Sequence, residues 1–123
     1  MKLNKLIFLT TIIYSIYFDK FPLDKDVITL TDSTYNKAIK QYKTLMIYFY
    51  APWCSHCKSF TPEYEKEDAI LKNKNIYHAK IDGSIYKRAG QQYNVNGFPS
   101  ILLFINGEPI EFEGARTEKE LIY

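Results

Sequence analysis

The chain has 123 residues, a length that argues for one domain. Its 16 basic and 14 acidic side chains leave a net charge of +2, too little for bulk electrostatics to point to a nucleic-acid partner. Tyrosine is heavily used, with 11 copies, and Ile, Asn and Lys recur in place of Ala, Gly and Arg; we read this as codon bias rather than as an aromatic peptide-binding surface.

Residues 1–17 differ in kind from the rest of the chain. Lys2 and Lys5 form a positive start, and Leu6 to Ile16 is apolar apart from Thr10, Thr11 and Ser15. At roughly 11 residues the stretch falls short of the ~20 needed to span a bilayer. It reads as a secretory signal peptide. Ser15 is the only small residue near its end, so cleavage is expected between Ser15 and Phe18. An uncleaved signal-anchor and a buried hydrophobic helix are the alternatives. Passage into the secretory pathway implies an oxidising compartment.

A linker is expected over residues 18–25, followed by a strand over Val27 to Leu30. Asp32 or Ser33 is expected to cap a helix from Ser33 to Gln41, with Tyr35, Ala38, Ile39 and Tyr42 on one face. Leu45 to Tyr50 carries no charge and reads as a strand buried on both faces. The chain's two cysteines come next, in Trp53-Cys54-Ser55-His56-Cys57-Lys58. A Cys-x-x-Cys pair between a strand and a helix reads as a redox dithiol. The first sulfur then sits at a helix N-terminus, where partial positive charge favours a thiolate.

The helix is expected to run from Ser55 to Lys72 with a kink at Pro62. A strand over Ile76 to Ile81 closes on Asp82-Gly83, and Tyr86 to Tyr93 reads as a short helix. Ser100 to Ile105 is another buried strand. Asn106-Gly107 is the strongest hairpin signal in the chain, returning Pro109 to Phe112 as an edge strand. Thr117 to Tyr123 begins a last helix. Helices between the early strands imply parallel neighbours, and the late tight turn implies an antiparallel pair. The expected class is therefore α/β, a mixed sheet with helices on both faces.

The run Phe49 to Lys58 followed by Pro62-Glu63-Tyr64, then Ala79 to Asp82, then Gly97 to Ser100, resembles protein disulfide isomerases over roughly Asp26 to Tyr123. The resemblance implies a thioredoxin-like fold, from which this chain departs in a last helix that is apparently truncated. It implies thiol–disulfide exchange in the endoplasmic reticulum lumen on cysteine-containing unfolded or misfolded polypeptides. Glutathione or an upstream oxidase would be the redox partner, with no cofactor and no metal. The last helix has about two turns where that fold normally has more, and no retention tetrapeptide ends the chain, so the sequence reads as a fragment, a gene-model truncation or a clipped domain; the missing turns would normally cover one face of the sheet, so low stability is expected.

Cys54 is the expected nucleophile. A free thiol of pKa ~8.5 is only ~3% thiolate at pH 7, and lowering it to ~4.5 takes about 5 kcal/mol, of which a helix terminus supplies up to ~2. Backbone N–H groups and His56 must supply the rest. Cys57, one turn on, is the expected buried resolving thiol. His56 should stabilise the Cys54 thiolate, hence the reduced form, and so make the disulfide a better oxidant; thioredoxin and protein disulfide isomerase differ by ~90 mV, about 4 kcal/mol. Ser55 stands where the family has Gly and should adjust this only slightly.

Pro99 resembles the family's cis-proline, which would expose the Phe98 backbone to an extended substrate. Trp53 resembles an exposed aromatic beside the dithiol, with core packing as the alternative. Arg116 matches an arginine thought to lower the resolving thiol's pKa; a solvated helix-start arginine is the alternative. The family's buried Glu, the proton acceptor for the resolving thiol, is replaced by Tyr48, while the lysine that pairs with it persists as Lys80. A phenol of pKa ~10 is a poor base at pH 7, so Cys57 is expected to deprotonate slowly unless Lys80 or water carries the proton. Three rival readings remain: a zinc site drawing on His56 and His78, a binding module or holdase without turnover, and a thioredoxin-like reductase.

Overall fold

The computed structural model describes Leu9, residues 18–72 and residues 74–111. Residues 1–17 apart from Leu9, the last helix and Arg116 lie outside these residues. The described elements run β1 (Leu23–Asp24), β2 (Val27–Leu30), α1 (Tyr35–Gln41), β3 (Thr44–Tyr50), α2 (Ser55–Lys72), β4 (Tyr77–Asp82), α3 (Arg88–Gln92), β5 (Ser100–Ile105) and β6 (Glu108–Glu111).

The six strands form one mixed sheet in the order β1-β2-β4-β3-β5-β6. β2, β4 and β3 are parallel, joined by crossovers, while β1, β5 and β6 attach antiparallel. The uncharged β3 lies between β4 and β5, and strand alternation sends its side chains to two different cores. Leu45, Ile47 and Phe49 pack with Tyr35, Ala38 and Ile39 of α1 and Ala89 of α3 on one face. Met46 and Tyr48 pack with Cys57, Phe60 and Tyr64 of α2 on the other. Each fully buried aliphatic or aromatic side chain contributes about 1.5–3 kcal/mol, so the central strand holds both layers.

Two hairpins close the sheet edges by the same turn chemistry. Between β5 and β6, Asn106 and Gly107 take φ of 51° and 83°, and Ile105 pairs with Glu108. This is the two-residue turn with positive φ at both centres that suits strand twist. The stretch expected to be linker supplies the second hairpin: Lys25 and Asp26 take φ of 50° and 69°, and Asp24 pairs with Val27. Asp26 tolerates such an angle, whereas Lys25 is not a usual turn former there.

Two helices differ from expectation in their bounds. α1 starts at Tyr35 rather than Ser33. Asp32 is drawn away, accepting the Arg88 N–H at 3.1 Å, and the Thr34 hydroxyl accepts the Thr31 N–H at 2.9 Å. α3 is confined to Arg88–Gln92 because the Tyr86 N–H, expected inside the helix, closes a turn on the Asp82 carbonyl at 2.9 Å. α2 keeps its expected bounds, Ser55–Lys72, with Pro62 inside it.

Candidate functional site

The dithiol lies where β3 hands over to α2, at the carboxyl end of the parallel strands. The Cys54 N–H donates to the Ala51 carbonyl at 3.1 Å, a turn that sets Cys54 immediately before the first helical residue. The Cys57 N–H then donates to Cys54 Sγ at 3.3 Å. The sulfur thus occupies the place of a helix-capping side chain, accepting from the third N–H of the helix. Both cysteines are thiols, Cys54 8% exposed and Cys57 2%. Both are buried, Cys54 slightly less deeply than Cys57.

Opposite Cys54 the Phe98–Pro99 peptide is cis, and Cys54 Sγ lies 3.6 Å from the Phe98 carbonyl oxygen. The Phe98 ring meets Trp53 edge-on at 6.2 Å between centroids, and Trp53 is 71% exposed rather than packed in the core. Behind Phe98 lies Gly83: a Cβ there would meet the Phe98 ring at 2.4 Å. Ser55 and His56 are exposed on the first turn of α2.

Tyr48 is wholly buried under Cys57. Its hydroxyl lies 3.2 Å from the Cys57 carbonyl oxygen and 3.1 Å from Thr61 Oγ1, while the Thr61 hydroxyl donates to the same carbonyl at 2.8 Å. Burial pushes the Tyr48 phenol well above its ordinary value. The phenol therefore acts as a donor toward the helix backbone. Burial also raises the Cys57 thiol above its ordinary value, and its interaction with Cys54 adds to the rise.

Lys80 pairs across the sheet with Tyr48, but its ammonium turns to the edge. It donates to Asp24 Oδ2 at 2.6 Å and lies 5.9 Å from the centre of the Tyr50 ring. That hydrogen bond, together with the lysine's charge, holds the Asp24 carboxyl below the usual carboxylate range. The lysine expected to serve a buried glutamate at position 48 is thus engaged by an exposed aspartate on β1. Sequence reasoning missed Asp24 and Thr61. The i+4 spacing from Cys57 could have pointed to Thr61, whereas no local signal marks Asp24.

Of the histidines, His56 is exposed near the dithiol, and His78 is buried with Nδ1 3.5 Å from Asp68 Oδ1. No group of three or more His, Cys, Asp or Glu able to hold a metal gathers among the described residues.

Comparison with known proteins agrees with this geometry. The Thioredoxin family matches residues 26–123. The chain is 39% identical over 106 residues to Protein disulfide isomerase-like 5-2 of Oryza sativa subsp. japonica, covering 85% of this chain and 25% of that protein. It is 38% identical over 101 residues to human Protein disulfide-isomerase A4, covering 80% of this chain and 16% of the relative. The solution structure of the first thioredoxin domain of mouse Protein disulfide-isomerase A4 superposes with a TM-score of 0.76 at 32% identity, covering 84% of this chain and 75% of that one. The chain belongs to the thioredoxin family, with protein disulfide isomerase domains as its kin. This kinship supports thiol–disulfide oxidoreductase chemistry in general. The chain spans a quarter or less of the length of those two curated relatives.

Proposed function

We propose that this domain exchanges disulfides with the cysteines of folding secretory polypeptides through Cys54 and Cys57. The observation that carries this reading is Cys54 Sγ capping α2 through the Cys57 N–H while facing the cis Phe98–Pro99 segment. A helix start stabilises negative charge on that sulfur, and thiolate is the attacking species.

In the oxidising direction a substrate thiolate attacks Cys54 of the Cys54–Cys57 disulfide. The S–S bond breaks, Cys57 leaves and takes up a proton, and a mixed disulfide remains. A second substrate thiolate then attacks the substrate sulfur of that mixed disulfide and expels Cys54. Two electrons have passed from the substrate dithiol to the cysteine pair, and glutathione disulfide or an upstream oxidase removes them. In isomerisation or reduction the Cys54 thiolate attacks a substrate disulfide, and Cys57, after losing its proton, attacks Cys54 to release the substrate.

His56 and Ser55 set the potential from the exposed first turn, and Trp53, Phe98 and Pro99 form the edge that receives the polypeptide. Residues 26–123 form the catalytic domain and residues 1–17 direct it to the endoplasmic reticulum lumen. Among the described residues no helix is long and apolar enough to cross a membrane. The test is catalysis of insulin reduction and of scrambled-ribonuclease refolding, lost in Cys54→Ser, with a Cys54–Cys57 potential nearer protein disulfide isomerase than thioredoxin. Activity that survives Cys54→Ser, or a potential near ~−270 mV, refutes this reading.

A second reading, in which the domain holds its substrates longer than it turns them over, draws support from Tyr48. The phenol is a donor, Lys80 is committed to Asp24, and the Cys57 thiol is raised. Mixed disulfides on Cys54 should then persist.

A further inference from the structure

Phe98 ties the two sides of the site together. Its carbonyl faces Cys54 Sγ at 3.6 Å, its peptide bond to Pro99 is cis, and its ring meets Trp53 edge-on. The half-buried ring packs against both cores. It also rests on the backbone of Gly83, where the chain turns after β4. A Cβ at Gly83 would crowd Phe98 Cε1 and fall 2.8 Å from Cζ, well inside the 3.5–4.0 Å at which carbon atoms pack best.

That ring, and not the backbone, is what calls for glycine here. Gly83 does not take a positive φ, so its own conformation would accept a side chain. The three atoms that a Cβ would meet first all belong to Phe98. The turn itself is pinned. The Gly83 N–H donates to the Tyr50 carbonyl at 2.8 Å, the Ser84 N–H and hydroxyl donate to Asp82 Oδ1 at 3.0 and 2.6 Å, and the Tyr86 N–H donates to the Asp82 carbonyl at 2.9 Å. A side chain at position 83 must therefore displace the ring. Rotation of the ring changes its contact with Trp53, and a backbone shift moves the carbonyl that faces Cys54. Both alter the edge beside the dithiol.

We propose that Gly83 is a positioning residue for polypeptide substrates: its lack of a side chain seats the Phe98 ring, and the seated ring holds the Trp53–Phe98–Pro99 edge beside Cys54. The proposal rests on the reading of that edge as the surface that receives the polypeptide. A disulfide too small to lie along the edge gains little from it, so position 83 separates polypeptide from small substrates.

The experiment compares insulin with hydroxyethyl disulfide as substrates. In Gly83→Ala, kcat/KM for insulin should fall about fivefold relative to that for hydroxyethyl disulfide, with KM carrying the change. Insulin B chain with its cysteines carbamidomethylated is unreactive, and Trp53, the only tryptophan of the chain, reports its binding by fluorescence. Gly83→Ala should weaken that binding by the same factor, ~1 kcal/mol. Phe98→Leu keeps an apolar side chain but no ring, so adding Gly83→Ala to it should cost no further binding. The proposal is overturned if wild type fails to bind the B chain, or if Gly83→Ala binds it as wild type does. It is equally overturned if Gly83→Ala weakens binding as much in the Phe98→Leu background, slows both disulfides alike, or unfolds the chain. A ring-dependent loss of B-chain binding in a chain that exchanges no disulfides would sustain the Gly83 assignment while removing the catalytic reading.

Discussion

At the scale of the residue, Tyr48 separates the first half of exchange from the second. Replacing it tests two different properties. Tyr48→Phe removes the hydroxyl facing the Cys57 carbonyl and should cost about 0.5–1.5 kcal/mol in denaturant unfolding, with the rate of mixed-disulfide resolution unchanged, because the phenol is no base. Tyr48→Glu should accelerate turnover and shorten the mixed-disulfide lifetime, read by acid quenching; equal lifetimes in the two variants would show that position 48 does not limit resolution. The raised Cys57 thiol gives a pH signature of definite sign. Its folded form favours the proton, so resolution should climb about tenfold per pH unit through pH 7–8.5 and continue past the ordinary thiol value of ~8.5. A plateau below that value would contradict the buried, base-less thiol. The motif residues of this site were legible in the sequence because they are contiguous and sit at a strand-to-helix junction. The destination of Lys80 was not, because its partner Asp24 lies 56 positions away and no periodicity ties the two.

Among the elements, the β1–β2 hairpin is the least expected and the most instructive. A two-residue strand offers no alternation to detect, and Lys25-Asp26 is not a turn signature. The Asn106-Gly107 turn, built on the same positive φ angles, was legible because its residues tolerate them. Lys25→Gly should therefore stabilise the chain by up to about 1 kcal/mol, measured in urea, since a left-handed backbone carries a cost of that order for residues other than Gly, Asn and Asp. The Lys25–Glu65 contact nearby, at 3.5 Å between exposed and half-buried groups, should matter little. Asp24→Asn tests the clasp on Lys80. The Asp24 carboxyl is lowered in the fold, so the stability it contributes is complete above the unfolded value of about 3.9 and fades as pH falls through the folded value. Wild type should thus exceed Asp24→Asn at neutral pH, and the gap should close in acid. A gap independent of pH would assign the effect to packing.

Over the whole molecule, the sheet keeps its reactive end and its supporting core on separate terms. Tyr64 shows how. Its hydroxyl lies 2.6 Å from the Ala79 carbonyl oxygen and 3.0 Å from that of Met46, joining the middle of α2 to β4 and β3 well below the cysteines. Tyr64→Phe should lower stability by about 1–2 kcal/mol while leaving the Cys54–Cys57 potential within a few millivolts of wild type. A large shift in potential would mean that the position of α2, and not its first turn alone, sets the chemistry. The mixed sheet with helices on both faces follows from patterns visible in the chain: the uncharged β3 run, the helical spacing of Tyr35, Ala38, Ile39 and Tyr42, and the late hairpin. What escaped were bonds between distant segments, such as Asp32 to the Arg88 N–H, which moved a helix start by competing for its cap.

The bond from the Cys57 N–H to Cys54 Sγ has a consequence for heat as well as for electrons. A thiolate in that place caps α2; a sulfur committed to a disulfide is neutral and accepts far more weakly. The reduced protein should therefore melt above the oxidised one, although oxidation adds a covalent crosslink. Folding and reduction form one closed cycle, so each kcal/mol by which reduction stabilises the fold, relative to its effect on the unfolded chain, raises the disulfide's potential by about 20 mV. Two calorimetric scans, one in each redox state, would thus measure how far folding moves the potential from that of the unfolded dithiol, with no redox partner in the tube.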